Sequence, residues 1–398
     1  MLERNALSVA YRILEDDVNP VLEALEAFPP ESIVTVDLSG NKFTPAVCTA
    51  LKQRLFPYLP NLTELDAKDN KFGAAGWAEI REALQRYCPS LTSLDLSETM
   101  LRDDGVYEVA LMLASSIKLR DLGLVTNHIT SRGVPSLCDG LRYARFLNEL
   151  MLDYNMVSDD GAVELCQAIA DHPALTRLGL SDNGIGDRGA GAIATYILGN
   201  KGSRIEWLNL SVNRMGDQGF VLMCRALTSP SGSRAIRHID FGCNPIQTVG
   251  RQALCSLAGQ MNNLLSLDLC SMELADSDVE LLLRALQRPT CRVTSIEWFN
   301  NPMISQLMET RLHEALACNF AAAERAEEAR RARKRALLIA AGAAFAALSV
   351  VVCAKVRRAV GSADGDETLS SLSGLEIVKK ILRPAVDLVS SIVKVFGR

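Results

Sequence analysis

Cysteine and histidine are the residue types in this chain that most directly suggest metal or redox chemistry. The 398 residues include 11 cysteines and four isolated histidines, His128, His172, His238 and His313. Zinc-binding and redox cysteines usually occur as a C-x-x-C pair, and the sequence contains no such pair. We therefore predict no metal site and no cofactor, and we expect the cysteines to be buried, reduced thiols.

Catalytic motifs are also absent from the sequence. It has no G-x-x-x-x-G-K-[ST] phosphate loop, no G-x-G-x-x-G nucleotide-binding turn, no G-x-S-x-G nucleophile elbow and no H-E-x-x-H zinc motif. The formal net charge of −5 and the lack of a basic patch interleaved with aromatic residues argue against nucleic-acid binding. We predict that the protein is not an enzyme and binds no nucleic acid.

Carboxylates and aromatic side chains recur beside pairs of leucines, and these are the candidates for molecular recognition. Stacked carboxylates sum their fields and favour a basic partner, while a few aromatic side chains usually carry most of an interface's energy. The predicted partner-binding residues are Asp66, Asp95, Glu149, Met151, Asp153, Tyr154, Trp207, His238 and Asp240. Alternatively, the acids only keep this face soluble and Trp207 packs on its own neighbours.

A repeated pattern, L-x-x-L-x-L-x-x-N, must position these residues. One copy is Leu147–Asn155, and its last position recurs at spacings of roughly 28 to 31 residues, within the range of solenoid repeats. The recurring positions are Asn41, Asn70, Thr99, Asn127, Asn155, Asn183, Asn213, Asn244, Met272 and Asn301. Ten copies predict a repeat protein.

Each repeat is predicted to form a strand, a turn and a helix. Leucines two residues apart lie on one face of a strand, so Leu150 and Leu152 should point inward and Glu149, Met151 and Asp153 outward. The Asn can satisfy backbone groups at the turn. A helix-starting residue such as Asp187 or Asp217 follows four residues later, with a glycine two positions further on.

This pattern resembles the leucine-rich repeat family in its long, ribonuclease-inhibitor-like subtype, which includes the recognition domains of NOD-like receptors and the Ran GTPase-activating protein. The resemblance covers residues 33 to about 319. It implies an α/β solenoid, a horseshoe with a parallel concave sheet and convex helices. The outward strand residues would then line the concave face. The motif is specific for the fold and weak for function.

The predicted domains begin with an N-terminal helical cap at 1–30 and a solenoid of about ten repeats at 31–319. A basic helical linker follows at 320–335. Residues 336–354 then run without a charge for about 28 Å as a helix, close to the thickness of a bilayer core. We predict a transmembrane helix there; a buried helix on the last repeat is the alternative. Gly342 and Ala346 could allow a homodimer through this helix.

After the span, a flexible linker at 355–371 leads to a basic amphipathic helix at 372–398. This helix is expected to lie on the membrane or to bind a protein. The heavier positive charge before the span places the repeats on the cytosolic side. The mitochondrial outer membrane and the endoplasmic reticulum are both possible locations.

From these observations we predict a membrane-anchored scaffold or adaptor that binds a protein partner with a basic surface through its acidic concave face. Two alternatives come from other functional classes. One is a membrane-tethered GTPase-activating protein resembling the Ran GTPase activator, although that family member has an acidic tail and this C-terminus is basic and apolar. The other is a structural subunit of a membrane-associated assembly.

Overall fold

The computed structural model describes residues 6–8, 10, 19, 23, 29–115, 118–258, 263–288 and 291–361, with the backbone alone at 30, 255–258 and 338–361. The chain divides into two compact units, Met1–Phe320 and Ala321–Arg398. The first unit contains all of the sheet described here. The predicted flexible linker from residue 362 onward and the amphipathic helix at 372–398 lie outside the described residues.

Eleven parallel strands form one sheet in strict sequence order. They are β1 (Ala6–Ser8), β2 (Thr35–Asp37), β3 (Glu64–Asp66), β4 (Ser93–Asp95), β5 (Asp121–Gly123), β6 (Glu149–Met151), β7 (Arg177–Gly179), β8 (Trp207–Asn209), β9 (His238–Asp240), β10 (Ser266–Asp268) and β11 (Ser295–Glu297). Each strand has three residues, and its middle residue is buried. Leu150 and Leu152 are fully buried and Met151 is half-buried, as the alternation predicts.

A helix follows nearly every strand and packs on the same apolar core. The helices are α1 (Pro45–Arg54), α2 (Gly73–Tyr87), α3 (Arg102–Leu113), α4 (Val134–Leu141), α5 (Ser158–Ile169), α6 (Asp187–Ile193), α7 (Asp217–Thr228), α8 (Thr248–Ala258), α9 (Asp276–Leu286) and α10 (Gln306–Gly361). The buried leucines of the strands and the apolar faces of the helices form one continuous core cluster. This strand and helix repeat confirms the predicted α/β solenoid.

The N-terminal cap differs from its prediction. Ala6–Ser8, inside the segment predicted as helical, is strand β1 and pairs in parallel with Thr35–Asp37. Leu7 is buried there, and the Ser8 hydroxyl donates a hydrogen bond of 2.9 Å to the Asp37 carboxylate. A strand covers the edge of β2 directly because it satisfies the backbone groups of that strand, which a helix cannot do.

The repeated asparagine connects two repeats and not only its own turn. The side-chain amide of Asn155 donates to the carbonyls of Leu152 and of Leu124 in the preceding repeat, both at 2.9 Å. Its Oδ1 accepts the N–H groups of Asn127 and Ile129, each at 3.0 Å. One side chain therefore satisfies four buried backbone groups and sets the stacking of neighbouring repeats.

The helix-starting aspartates also act across repeats. Asp187 is the first residue of α6, as predicted, yet its carboxylate accepts hydrogen bonds from the backbone N–H groups of Gly216 and Gly219 in the next repeat, both at 2.8 Å. Asp159 and Asp217 do the same for the helices that follow them. The sequence predicted that each acid starts its own helix, but it did not show that the carboxylate bonds to the N–H groups of the following helix.

Within the part of the chain whose side chains are described, no helix is long and apolar enough to cross a membrane. The backbone of α10 continues through the predicted span at 336–354. Only the first two residues of that span have described side chains. The predicted transmembrane helix therefore lies almost entirely outside the residues whose side chains are described.

Candidate functional site

The first and third residues of each strand from β2 to β11 face away from the apolar core, and we call these positions the strand face. Nine carboxylates and one basic side chain occupy it. The acids are Asp37, Glu64, Asp66, Asp95, Asp121, Glu149, Asp240, Asp268 and Glu297, and the base is Arg177. This excess of negative charge makes the strand face the candidate binding surface.

The acids at the third position form two separate clusters. Register pairs join Asp37, Asp66 and Asp95 into an N-terminal cluster, and join Asp240, Asp268 and Glu297 into a C-terminal cluster. Between the two clusters, the third strand position is uncharged, and its residues are Gly123, Met151, Gly179 and Asn209. Five strand spacings of about 4.8 Å separate β4 from β9, so the clusters lie about 24 Å apart.

Most of the third-position acids also have a structural role that sequence reasoning missed. The Oδ1 atoms of Asp95 and Asp240 accept the backbone N–H groups of Ser97 and Gly242, two residues further on, at 2.9 and 2.8 Å. Asn209 accepts the Ser211 N–H in the same way at 3.0 Å. Because asparagine serves equally well, the turn requires an oxygen and not a charge. An Asp or Asn two residues before a Ser or Gly was the sequence pattern that could have predicted this turn.

Burial and neighbouring acids raise the pKa of several carboxylates on this face. Burial raises the pKa of Asp66, and the charge of Asp95 adds to the effect. Burial also raises the pKa of Asp240, where the Gly242 N–H partly offsets it and Asp268 reinforces it. The pKa of Asp121 is raised by burial and then by Glu149. A cation placed on the face would therefore relieve an unfavourable accumulation of charge.

Arg177 organises the centre of the strand face. Its Nε lies 2.6 Å from a carboxylate oxygen of Glu149, and its guanidinium lies 4.5 Å from the centre of the Trp207 ring. His238 follows Trp207 in register, and its pKa is lowered by burial and then by the charges of Arg177 and Arg237. The Arg177 guanidinium thus contacts two of the predicted partner-binding residues, Glu149 and Trp207.

Asp153 and Tyr154 do not belong to the strand face. Strand β6 ends at Met151, and Tyr154 adopts a left-handed turn conformation with φ of 57° and 54% exposure. Asp153 is only 9% exposed, and its carboxylate accepts the Ser181 N–H at 2.8 Å and the Asn209 amide at 3.2 Å. Burial raises the pKa of Asp153. The prediction extended the inward and outward alternation of side chains past the end of the strand, so it placed Asp153 and Tyr154 on the strand face incorrectly.

The other predicted residues lie together on the strand face. Asp66, Asp95, Glu149, Met151, Trp207, His238 and Asp240 are all at its first or third positions. Among the described residues, no group of three or more His, Cys, Asp or Glu side chains is arranged to hold a metal ion. The arrangement is suited to recognition by charge and aromatic contact.

Comparisons with known proteins agree with this repeat architecture. The sequence profile of the family described as "Leucine Rich repeat" matches residues 87–110, 172–194 and 232–255. The human protein "NACHT, LRR and PYD domains-containing protein 12" is 24% identical over 199 residues, which make up 50% of this chain and 16% of that protein. The chain thus matches only a small part of that relative's length.

Two solved structures are similar to this chain. The leucine-rich repeat-containing protein LegL7 from Legionella pneumophila is 17% identical, with 78% of this chain and 98% of that chain covered and a TM-score of 0.50. An internalin from Listeria monocytogenes is 20% identical, with 71% and 78% covered and a TM-score of 0.39. The likeness to the Legionella protein shows the fold alone.

Proposed function

We propose that this chain, a leucine-rich repeat protein, is a scaffold that binds a basic protein partner through its strand face. Leucine-rich repeat proteins are suited to protein–protein interaction, because a row of strands presents many side chains on one continuous surface. The observation that carries the more specific proposal is the pair of acidic clusters about 24 Å apart on that surface.

The two clusters specify the partner's charge pattern. A partner that contacts both must present basic groups at two places about 24 Å apart, with a less charged surface between them. An α-helix of about 16 residues spans that distance. Partly exposed carboxylates of like sign attract such a partner from solution and accelerate its association.

The central residues supply the anchor between the clusters. Trp207 and Met151 offer apolar surface there, and aromatic side chains at the centre of an interface often carry much of its binding energy. Arg177 already pairs with Glu149 and stacks on Trp207. A basic partner therefore competes with Arg177 for these two side chains, so the centre contributes selectivity for partners that also offer apolar contact.

Capture of partners by the full chain tests this proposal. A strand-face variant carries Asp66→Asn, Asp95→Asn, Asp240→Asn and Asp268→Asn, substitutions that retain the oxygen required by each turn. A helix-face control removes the same number of exposed acids elsewhere, through Asp104→Asn, Asp139→Asn, Asp160→Asn and Glu164→Gln. Partners should be lost from the strand-face variant and retained by the control. Equal retention by both variants contradicts the proposal.

We further propose that residues 336–354 anchor the scaffold in a membrane, with the repeats on the cytosolic side and 372–398 at the membrane surface. The support is the charge-free segment and the basic residues that precede it. Alkaline carbonate extraction of membranes from cells that express the full chain tests the anchor. The chain should remain in the membrane fraction, and its release would identify it as a peripheral protein.

A further inference from the structure

Strand β11 lies at the C-terminal edge of the described sheet. On its inner side, the N–H groups of Thr294 and Ser295 donate to the carbonyl of Leu265 at 2.9 and 3.2 Å. Its Glu297 carbonyl accepts the Leu269 N–H at 2.8 Å. Strands β3 to β10 make the same bonds with the strand that precedes each of them.

The outer side of β11 has the corresponding backbone groups. One repeat earlier, the Leu265 carbonyl accepts from the following strand, and the Leu269 N–H donates to it. The equivalent groups of the last repeat are the Thr294 carbonyl and the Trp298 N–H, and neither has a backbone hydrogen bond among the described residues. Such an edge is a template for one more strand.

A groove runs along this edge, between β11 and the start of α10. Its cavity has a volume of about 560 Å³. One wall is the stretch from Thr294 to Phe299, and the other is a helix face with residues at helical spacing. The helix residues are Glu309, His313, Leu316, Ala317 and Phe320. Phe299 is 83% exposed and Phe320 is 53% exposed, so the groove offers aromatic surface to solvent.

The charged side chains that line the groove are both acidic. Glu297 and Glu309 lie on opposite walls, and no lysine or arginine lines the cavity. Neither glutamate forms a salt bridge within the described part of the chain. A basic side chain would complement both carboxylates, whereas the same edge of a second copy would bring further carboxylates against them.

We propose that this groove binds a short, extended, basic peptide segment of a protein partner, added as a strand parallel to β11. Its backbone would donate to the Thr294 carbonyl and accept from the Trp298 N–H, as neighbouring strands of the sheet do. The register follows that of β10 with β11, in which Leu267 lies opposite Ile296.

The register specifies the sequence of the peptide. Side chains opposite Ile296 and Trp298 point toward the cavity, because the equivalent residues of every other repeat point to the core. The side chain between them lies beside Glu297. The favoured segment is therefore apolar, basic, apolar, such as Leu-Arg-Leu. This site shares Glu297 with the C-terminal cluster, but it lies outside the centre of the strand face and rests on the edge of β11 and not on the function proposed above.

Peptide binding to the purified full chain, followed by fluorescence anisotropy, tests the site. The probe is a labelled eight-residue peptide with Leu-Arg-Leu at its centre. One control peptide replaces the arginine with glutamate, and another carries N-methyl groups on the two residues before the first leucine, which removes both donors to the Thr294 carbonyl. Both control peptides should bind at least tenfold more weakly than the probe.

Two variants locate the binding on the protein. Ala317→Arg places a long charged side chain in the groove, and Cys318→Arg places the same side chain on an exposed position of the same helix outside the groove lining. The first variant should weaken probe binding at least tenfold, and the second should leave it within twofold. Absence of probe binding, equal binding of the N-methylated peptide, or equal binding to both variants would overturn the proposal.

Discussion

The carboxylate of Asp187 lies over the start of the next repeat's helix, with its Oδ1 atom 2.8 Å from the backbone nitrogen of Gly219. A Cβ atom on Gly219 would lie 2.8 Å from the same oxygen, closer than real Cβ contacts. The acid and the glycine, 32 residues apart, are therefore two parts of one interaction between repeats. The same contact recurs between Asp103 and Gly133, between Asp159 and Gly189, and between Asp217 and Gly250, and it explains the glycine at these positions.

Asp187→Ala should lower the free energy of unfolding by about 2 to 3 kcal/mol, because it removes two charge-assisted hydrogen bonds at a helix N-terminus. Asp187→Asn keeps an acceptor oxygen and should cost about 1 kcal/mol. Denaturant unfolding of the full chain measures both values. Asp139→Ala, on the exposed surface of α4, is the control and should stay within about 0.5 kcal/mol of wild type. Equal losses at 187 and 139 would contradict the interpretation.

Asn155→Ala should be among the most destabilising single changes in the chain. It leaves two carbonyls and two N–H groups without their partner in a buried position, and we expect a loss of at least about 3 kcal/mol. Thermal or denaturant unfolding measures the loss. Asn148→Ala provides the comparison at a half-buried asparagine just before β6, and should cost less than about 1 kcal/mol. If both changes cost the same, the repeated asparagine does not connect the repeats as described.

The leucine pattern predicted the strands and their buried face, because alternation within one strand is a local property. The roles of Asn155 and Asp187 could not be predicted in the same way, since their partners lie roughly 30 residues away and only the stacking of repeats brings them together. Tyr154 was misplaced because the strand ends three residues before it. The membrane span and the ribonuclease-inhibitor-like subtype stay predictions.

In the candidate site, the contacts of Arg177 also could not be predicted from the local sequence pattern. Its place on the strand face follows from the alternation, but its pairing with Glu149 and Trp207 depends on the register of three neighbouring strands. From the sequence alone, Glu149 and Trp207 were therefore predicted as partner-binding residues without their contact to Arg177. The division of the acids into two clusters also became visible only once the register was known.

Val212 occupies the turn position before a repeated asparagine and has a φ of 55°, a conformation that β-branched residues strongly disfavour. It is 41% exposed, so it contributes little packing. Val212→Gly should therefore raise the thermal midpoint, with a gain of up to about 1 kcal/mol after the entropic cost of glycine is subtracted. Val249→Gly, at an exposed position in α8, should lower the midpoint. A lower midpoint for both variants would show that the turn is not strained.

Asp240→Asn should change the pH dependence of stability. A carboxyl whose folded pKa is raised contributes stability at low pH and loses that contribution as the pH rises through the folded pKa. Asparagine keeps the bond to the Gly242 N–H and carries no charge. The stability of the variant relative to wild type should therefore increase between about pH 4 and pH 7. Unfolding curves measured across this range would contradict the prediction if the two proteins changed in parallel.

The association rate of a basic helical peptide, measured at two ionic strengths, tests most directly whether the strand face is the binding surface. The peptide carries two Lys-Arg clusters about 24 Å apart, and it is presented to the full chain, the strand-face variant and the helix-face control. We predict that only the strand-face variant associates at least tenfold more slowly at low salt and loses most of the salt dependence. Equal rates for the strand-face variant and the helix-face control at both ionic strengths would show that the acidic clusters do not form the binding site.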